Sequence, residues 1–380
     1  MTKKLIILFG ILFGSILLLL LVANSWLNNQ KNEPFTATAE EQENLAFYQQ
    51  PEKWFIENLT KPQIQLDGQT LDPKFQYMFE QAGDSEENFG MMKNIFATSL
   101  GRKFVRNAVD REWTLYTKTS PSMEQTHDLE VTSQQGHQIP IRIYVPKSEN
   151  VGEKLPVLLY AHGGGYLFGS IKALDRAVQI MANEAQAIVV SIDYRLAPEY
   201  PYPAASDDGE TVFLWAKNNI QNYGGNPEKI AFGGDSGGGH VAINVAQRQL
   251  AQNAEPPVCL LLYYPATGLP IDDLSYELFQ KGFGLDAKFF EYILTQVFPD
   301  QELATANPDA YMAPIQAESL AGIPPTIVAT AGFDILRDSG KKFADRLAAD
   351  SIDVTYFNYP SLAHSFLNFS GVIADAEQAA

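Results

Sequence analysis

Ser236 lies in a glycine-rich stretch that has the residue types of an activated nucleophile. Residues Gly234–Gly238 read Gly-Asp-Ser-Gly-Gly and stand between a predicted strand, Lys229–Phe232, and a predicted helix. In this strand–turn–helix setting the glycines permit a turn so tight that the serine oxygen is left exposed. Such a hydroxyl, placed next to a base, can attack a carbonyl carbon. The stretch therefore predicts a nucleophile at Ser236, and the alternative is a glycine-rich loop with an incidental serine.

A nucleophilic serine needs a base, and the histidines differ in where they fall relative to the predicted strands. The five are His127, His137, His162, His240 and His364. The first two lie on or beside early strands, and His240 lies one helical turn past Ser236, where its side chain is expected to start on the wrong side of the turn. His364 instead follows the last predicted strand, Val354–Asn358, in a loop. Because active sites form at the carboxyl ends of the strands, His364 is the predicted base.

Two acidic residues follow the predicted strand Thr326–Ala331. Asp334 comes first, whereas Asp338 falls in the next helix, where a carboxylate favours the positive end of the helix dipole. Asp334 is therefore the predicted acid, with Asp338 as the alternative. The order serine, aspartate, histidine is typical of an α/β-hydrolase, and it speaks against a trypsin-like protease, in which histidine and aspartate precede the serine.

A second glycine-rich loop supplies candidate oxyanion donors. It covers His162–Tyr166, reads His-Gly-Gly-Gly-Tyr, and follows the predicted strand Pro156–Ala161. Its glycines allow two backbone N–H groups to point to one spot, where they can stabilise the oxyanion of a tetrahedral intermediate. The N–H of Gly237 is the predicted third donor. His162 is interpreted as a structural residue of the loop rather than as a base.

An alternation of strands and helices beyond Glu112 would position these residues. Helical patterns at Asp207–Gln221 and Val241–Gln252 separate later strands. Two early strands without a helix between them, followed by strand–helix repeats, predict a mostly parallel eight-stranded sheet with an antiparallel edge and flanking helices. The predicted fold class is α/β, of the α/β-hydrolase type. The predicted strands are Asp128–Thr132, Ile139–Val145, Pro156–Ala161, Ala187–Ile192, Lys229–Phe232, Val258–Tyr264, Thr326–Ala331 and Val354–Asn358.

Segments outside the sheet predict a helical cap over the strand ends. Residues 45–111 contain amphipathic, aromatic-rich segments, and residues 112–380 form the predicted catalytic domain. Within that domain a helical insertion at about 274–314 precedes the strand that carries the acid and is interpreted as a lid. The polar stretch 28–44 is interpreted as a linker. Four aromatic residues of the insertion are expected to be packing residues of the lid: Phe279, Phe283, Phe289 and Phe290.

Residues 1–27 carry the pattern of a membrane anchor or a signal peptide. Lys3 and Lys4 precede an apolar run, Leu5–Ala23, which at about 1.5 Å per residue is just long enough to cross a bilayer. This run is longer than the core of an ordinary signal peptide. An uncleaved anchor with an extracytoplasmic catalytic domain is therefore favoured, since the basic residues stay in the cytoplasm. The alternative is cleavage near Ala23–Ser25, which would give a secreted or periplasmic protein.

Composition excludes one class of partner. The chain of 380 residues carries 27 basic and 45 acidic residues, for a formal net charge of −18. It has no basic surplus with which to displace counterions from a polyanion. We therefore do not expect nucleic acid as a partner.

Four motifs together resemble those of the hormone-sensitive-lipase family of esterases. They are His162–Gly165, Asp193–Glu199, Gly234–Gly238, and Asp334–Asp338 with His364. The resemblance covers the chain from about Leu45 onward and implies a cofactor-independent hydrolase of carboxylic esters, often of short to medium acyl chains. The site residues that it implies are the nucleophile Ser236 with its partners Asp334 and His364, and the oxyanion donors Gly164, Gly165 and Gly237.

The same resemblance concerns the cap, and this sequence departs from the family pattern at three positions. It implies that the N-terminal helices form part of the cap and that Asp193–Glu199 is structural. The charges of this stretch are expected to lock the loop by ion pairing, and the alternative is that they touch substrate. Gly237 stands where many relatives carry alanine, Ser365 where glycine is usual, and Ser339 where glutamate is common. None of these departures removes a member of the triad, so they concern the substrate rather than the chemistry.

The sequence therefore predicts a serine carboxylesterase that hydrolyses short- to medium-chain esters through an acyl-enzyme. Its predicted partner is a small-molecule ester, with no cofactor and no metal, and with the membrane as a second partner if the N-terminal helix is uncleaved. A serine peptidase or amidase would share the triad and stays an alternative. A non-catalytic binding protein would be expected to have lost a triad member. A strict long-chain lipase is left open by the lid aromatics.

Overall fold

The computed structural model describes residues 37–148, 153–270, 272–298, 300 and 312–380. The predicted anchor or signal segment, Leu5–Ala23, and the first part of the predicted linker lie outside these residues. Within the described ranges, no helix has both the length and the apolar character needed to span a membrane.

In the part of the chain that the structure describes, five helices and a small hairpin precede the central sheet. The predicted linker 28–44 is wrong in its last part, because α1 begins at Ala39. Thr38 and Glu41 form a capping box there, in which each side chain accepts the backbone N–H of the other, at 3.3 and 2.7 Å. The elements are α1 (Ala39–Phe47), α2 (Glu52–Asn58), β1 (Gln65–Leu66), β2 (Gln69–Thr70), α3 (Pro73–Ala82), α4 (Ser85–Phe96) and α5 (Ser99–Tyr116). Helix α5 runs through the predicted boundary between residues 111 and 112, so the cap segment extends further than predicted.

The centre of the fold is an eight-stranded sheet. Its strands are β3 (Gln125–Thr132), β4 (Gln138–Val145), β5 (Leu155–Ala161), β6 (Ile188–Ile192), β7 (Gly225–Asp235), β8 (Leu260–Tyr263), β9 (Thr326–Phe333) and β10 (Val354–Ala363). They are ordered β10-β9-β8-β7-β5-β6-β4-β3. From β10 to β6 neighbouring strands are parallel, and β4 pairs antiparallel with both β6 and β3. The predicted α/β-hydrolase fold, with a mostly parallel sheet and an antiparallel edge, is confirmed.

Helices flank this sheet and leave its central strands buried. They are α6 (Ile171–Ala185), α7 (Ala204–Asn219), α8 (Gly237–Ala251), α9 (Leu274–Phe279), α10 (Ala287–Val297), α11 (Arg337–Ala349) and α12 (Ala374–Ala379). Every residue of β6 is buried, as expected of a strand that is covered on both faces of the sheet. Short 3₁₀ turns lie at Ile220–Tyr223, Pro314–Gln316 and Phe366–Phe369.

The predicted insertion contributes α9 and α10 between β8 and β9. Residues 301–311 of the insertion lie outside the described part of the chain. Phe279 and Phe283 pack on Phe333 at the end of β9, with ring centroids 5.3 and 5.7 Å apart, as expected of lid packing residues. Phe289 and Phe290 lie on α10 and face a cavity described below.

Ion pairs join α5 to the loop that follows β6. Arg102 and Arg106 of α5 bind the Glu199 carboxylate at 2.7 and 2.8 Å. Burial alone would raise the pKa of Glu199, but hydrogen bonds from Arg106 and Arg102 lower it to about 2. In the same stretch, Arg195 pairs with Asp208 at 2.9 Å. The charges of this stretch therefore lock the loop, and Glu199 also fastens the cap to it.

Candidate active site

Ser236 occupies a tight turn between β7 and α8. The strand ends at Asp235, the helix begins at Gly237, and Ser236 has a left-handed φ of 53°. A Cβ atom on Gly238 would lie 1.9 Å from the Ala161 carbonyl oxygen, so this position excludes any larger residue. The glycine-rich stretch therefore serves close packing of the turn on β5, and the strained backbone presents the serine at the strand end.

His364 and Asp334 meet Ser236 at the carboxyl ends of neighbouring strands. Asp334 follows β9 directly and His364 follows β10. The His364 Nε2 atom lies 3.0 Å from Ser236 Oγ, and Nδ1 lies 2.7 Å from Asp334 Oδ2. The other carboxylate oxygen, Oδ1, accepts the Leu336 N–H at 2.9 Å, which fixes the orientation of the carboxylate. All three side chains are buried.

Two of the remaining candidates for acid and base lie elsewhere. Asp338 lies in the first turn of α11, where it pairs with Arg337 at 2.8 Å and accepts the Ser275 N–H at 2.9 Å. His137 pairs with Asp208 at 2.8 Å. The structure thus brings Ser236, His364 and Asp334 together, as the sequence predicts. Their catalytic roles stay a prediction.

The predicted oxyanion donors converge on the same place. Gly164, Gly165 and Gly237 line one cavity with Ser236. Gly164 and Gly165 have φ angles of 107° and 59°, which favour glycine. Among the hydrogen bonds of the described chain, none uses the N–H of these three glycines. Gly163, in contrast, donates its N–H to Asp235 Oδ1 at 2.8 Å and so fastens the loop to the serine turn.

Two buried ionisable groups support the loop and the turn. Burial raises the pKa of Asp235 to about 6, against the opposing effect of hydrogen bonds from the Gly163 N–H and the Tyr160 hydroxyl. Burial lowers the pKa of His162 to about 4, so this imidazole is neutral at neutral pH. Its Nδ1 lies 2.8 Å from the Gly163 carbonyl oxygen, and its ring stacks on Tyr194 at 4.2 Å. This placement agrees with a structural role for His162.

A mostly apolar cavity opens over Ser236. It has about 890 Å³ of empty space, its open mouth included. Helix α10 forms one wall and α5 contributes Trp113, so both parts of the cap reach the site. The apolar and aromatic lining residues are Trp113, Tyr166, Phe168, Ala266, Leu269, Leu285, Phe289, Phe290, Ile293, Leu294, Val297, Phe298, Met312, Ala313 and Leu336. Phe289 and Phe290, which were expected to pack the lid, also face the site.

Two polar residues of the cavity wall, His240 and Ser365, were not among the predicted site residues. The sequence placed the His240 side chain on the wrong side of the turn to serve as the base, and in the structure His364 contacts Ser236 Oγ while His240 lines the cavity. The hydroxyl of Tyr166 forms a hydrogen bond with His240 Nδ1. Ser365, where glycine is usual, also lines the cavity and has a left-handed φ of 64°.

The fold and the site together define an α/β-hydrolase with a serine at the nucleophile turn, and comparison with known proteins agrees. The pattern that defines the α/β-hydrolase fold family matches residues 158–368. Carboxylesterase NlhH of Mycobacterium tuberculosis is 38% identical over 246 residues, which are 63% of this chain and 75% of the relative. Carboxylic ester hydrolase LipN of the same organism is 33% identical over 312 residues, which are 80% and 78% of the two chains.

A solved structure is similar over the same region. The ester hydrolase EH1AB1 from the metagenome of Lake Arreo superposes with a TM-score of 0.69 at 32% sequence identity, covering 77% of this chain and 94% of that one. The chain therefore belongs to the α/β-hydrolase fold family, in its hormone-sensitive-lipase-like branch. It is a carboxylic ester hydrolase.

Proposed function

We propose that this chain hydrolyses short- to medium-chain carboxylic esters through a covalent acyl-enzyme on Ser236. The observation that carries the proposal is the hydrogen-bonded row from Asp334 through His364 to Ser236, with distances of 2.7 and 3.0 Å. A base held in one tautomer by a carboxylate, within reach of a serine hydroxyl, is the arrangement that activates a serine.

The first half of the proposed reaction forms the acyl-enzyme. His364 Nε2 takes the Ser236 proton while Oγ forms a bond to the ester carbonyl carbon. The N–H groups of Gly164, Gly165 and Gly237 donate to the oxygen that becomes negative. Collapse of the tetrahedral intermediate breaks the bond to the alkoxy oxygen, and the imidazolium gives its proton to the leaving alcohol.

The second half releases the acid and restores the enzyme. Water gives a proton to His364 as its oxygen attacks the acyl carbon, and the same glycine N–H groups hold the second oxyanion. The Ser236–acyl bond then breaks, and His364 returns the proton to the serine oxygen. Asp334 stabilises the imidazolium in both halves and keeps its own charge throughout.

The cavity supports an acyl group of limited length. Its walls are mostly apolar, so burial of each substrate methylene is favourable by about 0.8 kcal/mol until the space is filled. Helix α10 lies directly over the oxyanion loop, because a Cβ on Gly165 would lie 2.6 Å from Ile293 Cδ1. The lid therefore bounds the space above the reacting carbonyl, and the preference for short to medium acyl chains comes from the resemblance to the hormone-sensitive-lipase family.

Hydrolysis of p-nitrophenyl esters from acetate to palmitate tests this function. We expect an optimum at short to medium chain length for the parent and no activity for Ser236→Ala. Ser319→Ala, which changes an exposed serine, is the matched control and should keep parental activity. Anilides of the same acyl groups are assayed in parallel. Cleavage of anilides without esters would replace the proposal by an amidase, and a long-chain optimum would replace it by a lipase.

We also infer that Leu5–Ala23 anchors the chain in a membrane, with the catalytic domain outside the cytoplasm. Support comes from Lys3 and Lys4, which precede an apolar run of bilayer length. Membrane fractionation and N-terminal sequencing of the full chain expressed in a bacterial host test this. An uncut N-terminus in the membrane fraction is expected, and a soluble protein cut near Ala23 would contradict the anchor.

A further inference from the structure

Tyr166 connects the two parts of the chain that supply the proposed oxyanion donors. It follows Gly165 in the loop after β5, and its hydroxyl forms a hydrogen bond with Nδ1 of His240. His240 lies on α8, the helix whose first residue is the third proposed donor, Gly237. This hydrogen bond therefore spans the gap between the glycine loop and the helix N-terminus.

The backbone of Tyr166 has a conformation that bulky residues rarely adopt. Its φ of 62° is left-handed, which costs free energy in any residue with a Cβ. Such a conformation persists only where the surroundings hold it. The Tyr166 carbonyl oxygen accepts the Ala197 N–H at 2.9 Å, and the bond to His240 restrains the other end of the residue.

The ring of Tyr166 lies against Gly237. A Cβ atom on Gly237 would be 3.2 Å from Cε2 and 3.4 Å from Cδ2 of that ring. The same atom would be 3.6 Å from the Cα of Gly165. The ring thus packs between the glycine loop and the helix N-terminus, next to two of the proposed donors.

The second ring nitrogen of His240 also has a polar neighbour. Its side chain is 3% exposed, and Nε2 lies 3.4 Å from Nδ2 of Asn244, one turn further along α8. Asn244 Oδ1 in turn accepts the Ser206 hydroxyl at 3.1 Å. Both ring nitrogens of His240 therefore have polar neighbours, and the imidazole gives Tyr166 a fixed partner.

We propose that Tyr166 and His240 are positioning residues that keep the N–H groups of Gly164 and Gly165 aligned with that of Gly237. This inference rests on the proposed function, because it concerns the oxyanion site of the same reaction. Neither side chain exchanges a proton with the substrate. They act through the glycines, by fixing the loop relative to the helix.

Loss of this hydrogen bond should affect the transition state more than substrate binding. Removal of a whole oxyanion donor lowers kcat by about 10²–10³-fold. Tyr166→Phe keeps all donors and only loosens their alignment, so we expect kcat to fall by about 10–100-fold. We expect KM to change by less than about threefold, because the donors bind the developing oxyanion more strongly than the ground-state carbonyl.

The test compares the parent, Tyr166→Phe, His240→Leu and the double variant Tyr166→Phe/His240→Leu. Steady-state kcat and KM are measured with p-nitrophenyl butyrate, together with the unfolding temperature. The inhibition constant of a trifluoromethyl ketone, which forms a reversible tetrahedral adduct with an active serine, reports on the oxyanion site directly. Tyr144→Phe is the matched control, since it removes a buried hydroxyl that bonds Asp175 at 2.7 Å outside the cavity.

We expect all three variants of the pair to lose kcat to a similar extent, because each removes the same bond. The inhibition constant should rise in parallel. The double variant should have a higher unfolding temperature than either single variant, because neither polar side chain is left buried without its partner. Its kcat should stay as low as theirs. Tyr144→Phe should lose stability without losing kcat.

Several results would overturn the inference. Parental kcat in Tyr166→Phe would do so, and so would recovery of kcat in the double variant. A change confined to KM or to acyl-chain preference would make Tyr166 a substrate contact instead. If Tyr166→Phe alone does not fold, the kcat and KM of the double variant are judged by the same criteria in its place. A parent that cleaves no ester would refute the proposed function itself, whereas an active parent with an unaffected Tyr166→Phe refutes only this inference.

Discussion

Replacing Asp334 by asparagine keeps the size of the side chain but changes which atoms accept a hydrogen bond. The Leu336 N–H lies 2.9 Å from Oδ1 and needs an acceptor there, so the asparagine oxygen should take that place. Its amide nitrogen then takes the place of Oδ2, 2.7 Å from Nδ1 of His364. A donor at this place forces the imidazole proton onto Nε2, which can then no longer take the Ser236 proton.

The size of the effect follows from the two contacts that are lost. Restoring the active tautomer would leave the buried Leu336 N–H without an acceptor, at a cost of about 1–3 kcal/mol. Loss of the charge-assisted bond to the imidazolium costs about 1.5–3 kcal/mol more. The total of about 2.5–6 kcal/mol corresponds to a decrease of roughly 10²–10⁴-fold in kcat. Asp338→Asn, which changes a carboxylate on α11, should alter kcat by less than about threefold and is the matched control.

The assay is steady-state hydrolysis of p-nitrophenyl butyrate by the parent and both variants, with thermal unfolding to show that each is folded. The reasoning would be refuted if folded Asp334→Asn kept more than about a tenth of the parental kcat. It would also be refuted if Asp338→Asn lost as much activity as Asp334→Asn, because Asp338 would then be the acid.

Three further predictions concern stability and its pH dependence. Gly238→Ala should abolish folding or lower the unfolding temperature sharply, since the new methyl would lie 1.9 Å from the Ala161 oxygen, and a parental melting curve would contradict this. Glu199→Gln should cost about 1 kcal/mol at pH 7, measured by urea unfolding. Because the pKa of Glu199 is lowered to about 2 in the fold, this difference should vanish as the pH falls from about 4 towards 2, and a constant difference would count against the ion pairs. Burial raises the pKa of Asp110 from 3.8 to about 7, so the unfolded chain loses this proton first and the parent loses stability as the pH rises from about 4 to 7. Asp110→Asn should not lose stability in this way, so it should become more stable relative to the parent as the pH rises through this range. Equal pH profiles of the two proteins would show that the Asp110 carboxyl is not desolvated.

The residues of the triad were predictable because each directly follows a strand. Asp334 comes after β9 and His364 after β10, and the apolar and aromatic residues of those strands indicate where they lie. The parallel order then places strand ends, and the residues after them, at one edge of the sheet. The fold class followed from the same alternation of strands and helices.

What the sequence did not predict depends on contacts between distant segments. Trp113 reaches the cavity from α5, more than a hundred residues before Ser236, and no local period reports such a contact. The bond between His240 and the Tyr166 hydroxyl joins α8 to the loop after β5, 74 residues earlier in the chain. The start of α1, in contrast, could have been predicted, because the capping box of Thr38 and Glu41 was visible in the sequence.

The most direct test of the central claim is covalent labelling with a p-nitrophenyl alkylphosphonate. Attack of a nucleophilic serine on phosphorus releases p-nitrophenolate and leaves a stable tetrahedral adduct. We predict one p-nitrophenolate per chain, an intact-mass increase of one phosphonyl group located on Ser236, loss of esterase activity in step with labelling, and no labelling of Ser236→Ala. Labelling of Ser365, the other serine of the cavity wall, or ester hydrolysis that persists in fully labelled protein, would contradict the account.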